Sequence, residues 1–269
     1  VKPSSGKPVI RVEGLEHIYP NGTKALKGLN IEIKEGEFVA VIGQNGSGKT
    51  TFAKHLNGLL KPTSGRIIIN GKDTKSKSIY ELSKDVGFCF QNPDNQIFAS
   101  SVREEVAFGP QNYQFPSSVM ERNVAEALES VNLTGYEDKD PFVLTKGERQ
   151  RIAVASVLSF KPGIMVFDEP TTGLDYKQMT GMMELIKSLN EEGRTIIIIT
   201  HNMWVAAQYA KRCVVMADGR ILLDGNTREI FSKETVLKKA SLAPPDIVRL
   251  GNTLGATTLS LEEFIYCLE

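Results

Sequence analysis

Cysteine is scarce and scattered. Cys89, Cys213 and Cys267 form an odd set with no CxxC spacing, so neither a disulfide framework nor a zinc site is indicated and a reducing cytosol is the natural compartment. Net charge is also lacking: 32 Lys+Arg balance 32 Asp+Glu. That balance argues against a nucleic-acid binder relying on a basic field, while leaving room for a local patch. Long apolar runs are missing. The longest pure aliphatic run is Ile196 to Ile199, strand-sized and far below the about 18 residues of a membrane span. The opening VKPSSGKPV holds no apolar signal region, and residues 1–8 read as a loose tail. No internal repeat or low-complexity tract occurs. What the 269 residues do hold is 41% apolar and 24% charged side chains. This is ordinary globular composition with material for a sizeable core, which excludes disorder, collagen and small disulfide scaffolds.

The patterning changes along the chain. VIRVEGLEHIY (Val9 to Tyr19) alternates as a half-buried strand does, and PNGT (Pro20 to Thr23) predicts a hairpin turn. Leu26 to Gly43 holds two more strands around Glu35 and Gly36. The second, FVAVIG, is a continuous apolar run of the kind buried on both faces. Lys49 to Leu60 has helical spacing, with Phe52, Leu56, Leu59 and Leu60 on one face; KPTSG ends it and RIIIN is another strand. From Asn92 to Phe160 strands are scarce, and helices are predicted over Met120 to Leu133 and from near Lys146. GIMVFDEP and RTIIIITH predict buried strands flanking a helix, and CVVMADGRILLDG a hairpin around Ala217 to Gly219. Thr227 to Glu269 reads as mainly helical, interrupted at Ala243 to Pro245 and near Gly251. Antiparallel strands followed by alternating strand and helix, with a helical insertion, imply an α/β core carrying two grafted elements.

The chemistry concentrates at strand ends. GQNGSGKT, from Gly43 through Gln44, Asn45, Gly46, Ser47, Gly48 and Lys49 to Thr50, fits G-x-x-x-x-G-K-[ST] between a buried strand and a helix that continues with Thr51. Backbone N–H groups of such a turn bind phosphate oxygens, and the helix adds its positive end. Lys49 is expected on the β- and γ-phosphates of a nucleotide, and Thr50 on Mg²⁺. IMVFDEP delivers Asp168 and Glu169 to the carboxyl end of a buried strand, where ligands bind in a doubly wound sheet. Asp168 is expected to hold Mg²⁺ and Glu169 to act as the general base for water. TIIIIT delivers His201 to the same edge, placed to donate to a phosphate oxygen. His17 and His55 read as structural.

In this order the motifs resemble the ATP-binding subunit of ABC transporters, over Val9 to Phe231. GQNGSGKT resembles its Walker A motif, IMVFDEP its Walker B motif with catalytic glutamate, and TGLD, ending in Asp175, its D-loop. The resemblance implies that Gln91 touches Mg²⁺ and the lytic water, that Tyr19 stacks on adenine, and that His201 is the switch histidine. It implies an ABC-type P-loop NTPase with a mixed sheet core, an N-terminal antiparallel β subdomain, a helical subdomain over residues 92–160 and a helical extension over 232–269. ATP and Mg²⁺ are the implied ligands. The signature motif departs from the family's LSGGQ: here it is LTKGE, Leu144 to Glu148. Thr145 keeps the hydroxyl and Gly147 one glycine, the residues implied to reach the nucleotide held by a second, head-to-tail ATPase subunit, identical or different. The change reads either as a tolerated variant or as the mark of an asymmetric pair.

QNPDNQIF and EEVAFGPQN resemble more narrowly the energy-coupling-factor group, the cobalt, nickel and vitamin importers. That implies a docking groove near Asp94, Asn95, Gln96, Ile97, Phe98, Val106 and Phe108 for a membrane-embedded coupling subunit, which joins a substrate-binding membrane subunit at the cytoplasmic face of the cell membrane. The segment LAPPDIVRLGNTLG resembles a tail implied to contribute to dimerisation. No nucleic-acid partner is implied. An ATPase of another ABC importer or exporter, and a non-transport ABC ATPase acting on nucleic acid or ribosomes, remain as other readings; the basic face and coiled-coil insertion of the latter are not visible.

Overall fold

A computed structural model describes residues 6–268. Strand β1 (Pro8–Ile18) pairs antiparallel with β2 (Lys24–Lys34) across the predicted turn, whose Tyr19 N–H donates to Thr23 O at 2.9 Å. The expected tail over residues 1–8 is therefore too long at its inner end. Pro8 opens β1, and Lys7 O accepts from Glu35 N–H at 3.0 Å; residues 1–5 lie outside the described residues.

Strand β3 (Phe38–Ile42) is buried throughout and leads into helix α1 (Lys49–Leu56). The helix stops a turn earlier than the apolar spacing predicts. Gly58 takes a left-handed φ of 79°, which ends the helix after Asn57, and Leu59 is left 40% exposed instead of joining the Phe52 and Leu56 face. Next come β4 (Ser64–Ile69), β5 (Lys72–Asp73), helix α2 (Ile79–Ser83) and β6 (Val86–Cys89). Helix α3 (Val102–Asn112) has no clean apolar period and carries Pro110, so the pattern does not announce it. Helices α4 (Ser117–Ser130) and α5 (Lys146–Leu158) follow, then β7 (Ile164–Asp168), α6 (Tyr176–Glu191), β8 (Thr195–Thr200), α7 (Met203–Tyr209) and the hairpin β9 (Arg212–Ala217) with β10 (Arg220–Asn226). Helices α8 (Thr227–Ser232), α9 (Glu234–Lys239), α10 (Asp246–Thr253) and α11 (Leu261–Tyr266) end the chain. Gly251 does not interrupt this tail as expected. It lies inside α10, where a Cβ would come within 2.4 Å of Ala256 O and Thr258 Oγ1, and the break falls at Gly255 with φ 84°.

The strands form two sheets among the described residues, ordered β2-β1-β4-β5 and β10-β9-β3-β8-β7-β6. In the second sheet β9, β3, β8, β7 and β6 run parallel and β10 antiparallel. The period of two divides each buried strand between two cores. Ile197, Ile199, Val39, Val41 and Val166 face α1 and the four-stranded sheet, with Phe52 and Leu56 packed on them. Ile196, Ile198, Ala40, Ile42, Met165 and Phe167 face the opposite core, shared with α5 and α6. That is why these strands read as unbroken apolar runs: neither face meets water.

Gly65 and Gly71 separate two costs on the small sheet. Both have left-handed φ, 76° and 78°, yet a Cβ on Gly65 would lie 2.3 Å from Gly14 O while Gly71 faces open space. Gly65→Ala is expected to lower stability by about 2–3 kcal/mol and Gly71→Ala by about 1 kcal/mol, read by denaturant unfolding of each variant.

Candidate functional site

The parallel strands carry their side-chain chemistry at one edge. The loop after β3 turns on Gly46 (φ 81°) and Gly48 (φ 100°), the latter capping α1. Its glycines also make room: a Cβ on Gly43 would lie 2.3 Å from Met216 O, and one on Gly48 2.8 Å from Ala25 O. The loop is thus wedged between the two sheets and has one available path. Lys49 is buried, and its Nζ donates to Gly43 O and Gln44 O at 2.8 Å each. Burial pulls the Lys49 ammonium below the usual lysine range, and the nearby Glu169 and Asp168 oppose that shift.

A cavity of about 450 Å³ opens over this loop. Tyr19, Asn45, Gly46, Gly48, Lys49, Thr50, Thr51, Gln91, Glu169 and His201 line it, all read from the sequence as site residues. Gly43, Gln44, Ser47 and the buried Asp168 do not line it; the Gln44 side chain turns away and donates to Ser241 O at 3.0 Å. Thr23, Lys24, Ala25, Asp218 and Gly219 line it as well and carry no motif signal. They come from the β1–β2 turn with the first two residues of β2 and from the β9–β10 turn, which only the packing of the two sheets brings together. Tyr19 crosses from the same turn, its hydroxyl 3.0 Å from Thr51 Oγ1.

The two acids at the end of β7 have different surroundings. Asp168 is 4% exposed and accepts from Thr50 Oγ1 at 3.2 Å. Burial raises its pKa, and the Thr50 bond partly offsets the rise. The Thr50 hydroxyl and the Gln91 amide on this cavity, with the Asp168 carboxylate bonded to Thr50, are hard oxygen donors. This set fits Mg²⁺, which takes few protein ligands and completes its shell with water and substrate phosphate. Glu169 adopts a left-handed φ of 49°. Its N–H donates to Ile199 O at 2.8 Å, and three donors from the end of β8 hold its carboxylate: His201 N–H at 3.0 Å, His201 Nδ1 at 2.6 Å and Thr200 Oγ1 at 3.3 Å. A carboxylate acceptor at that distance places the His201 proton on Nδ1. A non-glycine residue in this conformation stores strain of about 1–2 kcal/mol, which the donors from β8 hold in place.

Thr145, Gly147 and Asp175 do not reach this cavity within the chain. Thr145 caps α5 in a reciprocal box with Glu148, whose carboxylate also accepts from Tyr136 Oη at 3.1 Å. Asp175 caps α6 in a like box with Gln178. The two helix starts adjoin: a Cβ on Gly147 would lie 3.1 Å from Gln178 Nε2, and one on Gly173 2.4 Å from Lys146 Nζ. They form a separate edge with a pair of helix N-termini.

The expected docking groove divides. Ile97 and Val106 are buried, 4% and 0% exposed, and belong to the core. Phe98 and Phe108 remain 59% and 45% exposed, their rings edge to face at 4.6 Å. They border a second cavity of about 360 Å³ with Ile79, Tyr80, Phe90 and Tyr113. Asp94 pairs with Arg149 at 2.8 Å, and Gln96 donates to Ala153 O at 2.7 Å, so these two polar members brace the wall. Among the described residues no helix is long and apolar enough to cross a membrane.

Residues 26–172 match the family described as ABC transporter. A putative ABC transporter ATP-binding protein of Caldanaerobacter subterraneus subsp. tengcongensis is 54% identical over 264 residues, 98% of this chain and 46% of that protein. The energy-coupling factor transporter ATP-binding protein EcfA of Methanocaldococcus jannaschii is 44% identical over 244 residues, 90% of this chain and 88% of that protein. The structure of cbiO1 from Clostridium perfringens, part of the ABC transporter complex cbiONQ, is 38% identical, with a TM-score of 0.79 over 93% of this chain and 99% of that chain. The chain spans less than half the length of two of the curated relatives it matches, 46% and 41%. A family match over more than half of the sequence, on a fold shared with a solved cassette, establishes that this chain belongs to the ABC transporter family.

Proposed function

We propose that this chain binds and hydrolyses ATP as the subunit powering solute uptake through a membrane energy-coupling-factor transporter. The carrying observation is the meeting, at one cavity, of the glycine loop and Lys49 with the Thr50–Asp168 contact and the Glu169–His201 pair. The relatives named EcfA and cbiO1 support the transporter class.

In this reading the loop N–H groups and Lys49 grip the triphosphate, and Tyr19 backs the base. Thr50, Asp168 and Gln91 would hold Mg²⁺, which would neutralise phosphate charge. Glu169 accepts a proton from water as its oxygen bonds to the terminal phosphorus in line; the β–γ bridging bond breaks and its electrons leave with ADP. The His201 Nδ1–H and the two other donors fix the Glu169 carboxylate, and the His201 ring, 53% exposed, borders the cavity beside it. The Thr145 and Gly147 edge closes on the nucleotide of a second ATPase subunit, head to tail, where the α5 N-terminus favours an anion. The Asp175 turn adjoins that edge. The Glu148 carboxylate accepts from the Thr145 hydroxyl and N–H and from Tyr136 Oη, which favours its charged form and turns it into the cap. The helical segment 92–160 with Phe98 and Phe108 receives the membrane coupling subunit at the cytoplasmic face. The substrate-binding membrane subunit joins through it, and residues 232–269 add to the contact between ATPase subunits.

Three outcomes are expected. Glu169→Gln should slow Mg-ATP hydrolysis at least about 100-fold while keeping ATP bound, so that sedimentation shows an ATP-bridged dimer; turnover near the parent rate would remove Glu169 from this role. Lys49→Ala should weaken ATP binding at least about tenfold by calorimetry, since a buried charge to phosphate is lost. Phe98→Asp should leave the thermal melt within about 2 °C of the parent, given its exposure. In liposomes holding the membrane subunits it should abolish ATP-driven uptake, and normal uptake would overturn the docking assignment.

A further inference from the structure

Beside the nucleotide cavity lies a buried polar pair that the chemistry above does not use. His17 in β1 and His55 in α1 are 8% and 0% exposed. Their rings cross at 4.7 Å and 77°, with His55 Nε2 3.2 Å from His17 Nδ1. The partners fix the tautomers. His55 Nδ1 lies 2.7 Å from Thr51 O, a carbonyl that can only accept, so His55 carries its proton on Nδ1 and presents a bare Nε2. His17 then donates from Nδ1 to that nitrogen, sharing the proton with Lys61 O at 3.3 Å. Burial holds His55 below the usual histidine range, which keeps this neutral arrangement.

These bonds close into a ring. The His17 and Tyr19 rings meet in a T at 4.6 Å and 84°. The Tyr19 hydroxyl meets Thr51 Oγ1 at 3.0 Å, and Thr51 leads back through its carbonyl to His55 and so to His17. Tyr19 is thus held at both its ring and its hydroxyl, and both supports pass through the histidine pair or the turn of α1 it grips. The pair carries a cost: His17 Nε2 is buried with no partner among the described residues, which an apolar side chain at that position would avoid. Packing alone therefore does not account for an imidazole here.

We propose that His17 and His55 are positioning residues for Tyr19, and that they set affinity for the nucleotide base without touching the nucleotide. The proposal rests on the reading of Tyr19 as the base platform. A free tyrosine ring must be immobilised when a base stacks on it; a ring already clamped loses less freedom, and the difference appears as base affinity.

Calorimetry on the full chain separates base from phosphate by titrating Mg-ATP and Mg-tripolyphosphate in parallel. His55→Leu is expected to weaken ATP about tenfold, within the range of one base–aromatic stack, and tripolyphosphate less than about twofold. In a Tyr19→Ala background it should have no further effect on ATP. If His55→Leu fails to fold, His17→Leu serves in its place, because it exchanges one unpartnered acceptor, His17 Nε2, for another, His55 Nε2, and the same base-selective loss is expected. Equal loss of both ligands, or unchanged ATP affinity while Tyr19→Ala alone weakens it, overturns the role of the histidines. Unchanged ATP affinity in Tyr19→Ala overturns the base-platform reading itself.

Discussion

Strands β3, β8 and β7 are covered on both faces, and a strand covered on both faces has no place for a polar side chain except at its ends. Ile196 to Ile199 alternate between two cores, and the first polar side chains after them are Thr200 and His201. Likewise β7 runs apolar until Asp168 and Glu169, and β3 until the glycine loop. Because the three strands are parallel neighbours, these ends fall on one edge. The burial that drives folding thereby collects a lysine, a threonine, a glutamate and a histidine on one cavity, with Asp168 bonded to that threonine.

At that edge the groups constrain one another. Lys49 loses hydration and gains two carboxylates; Asp168 loses hydration and gains the Thr50 hydroxyl. Each shift has its counterpart in a neighbour, so removing one partner leaves another charge buried without compensation. Glu169 is the most tightly held, by backbone and side chain of β8, in a left-handed conformation that the flanking strand over-determines. Such anchoring fits a group that must present a carboxylate oxygen in a set direction.

The altered signature is intelligible on the same grounds. Thr145 and Glu148 form a capping box in which the carboxylate satisfies the N–H and hydroxyl of Thr145. A glutamate at this position is a good N-terminal residue for α5. The Lys146 side chain lies against Gly173 and the Gln178 side chain against Gly147, so the two helix starts adjoin.

The strand-sized apolar runs, the helical periods of α4, α5 and α6, and the G-x-x-x-x-G-K-T loop were legible because each is a local pattern whose period or spacing follows from backbone geometry. Asp168, Glu169 and His201 were legible for the same reason, as polar residues ending apolar runs. Local pattern misled at Leu59 and at Gly251, and the resemblance left Ile97 and Val106 between a docking surface and the packing that buries them. A glycine cap, a helix-to-loop contact and the depth of the helical packing decide these positions, and none is visible in spacing. The joining of Asp218 and Gly219 to Tyr19 and Thr23 around one cavity, and the closed ring from Tyr19 through Thr51 and His55 to His17, exist only once the two sheets pack. They depend on residues far apart in the chain meeting at distances that no single segment encodes.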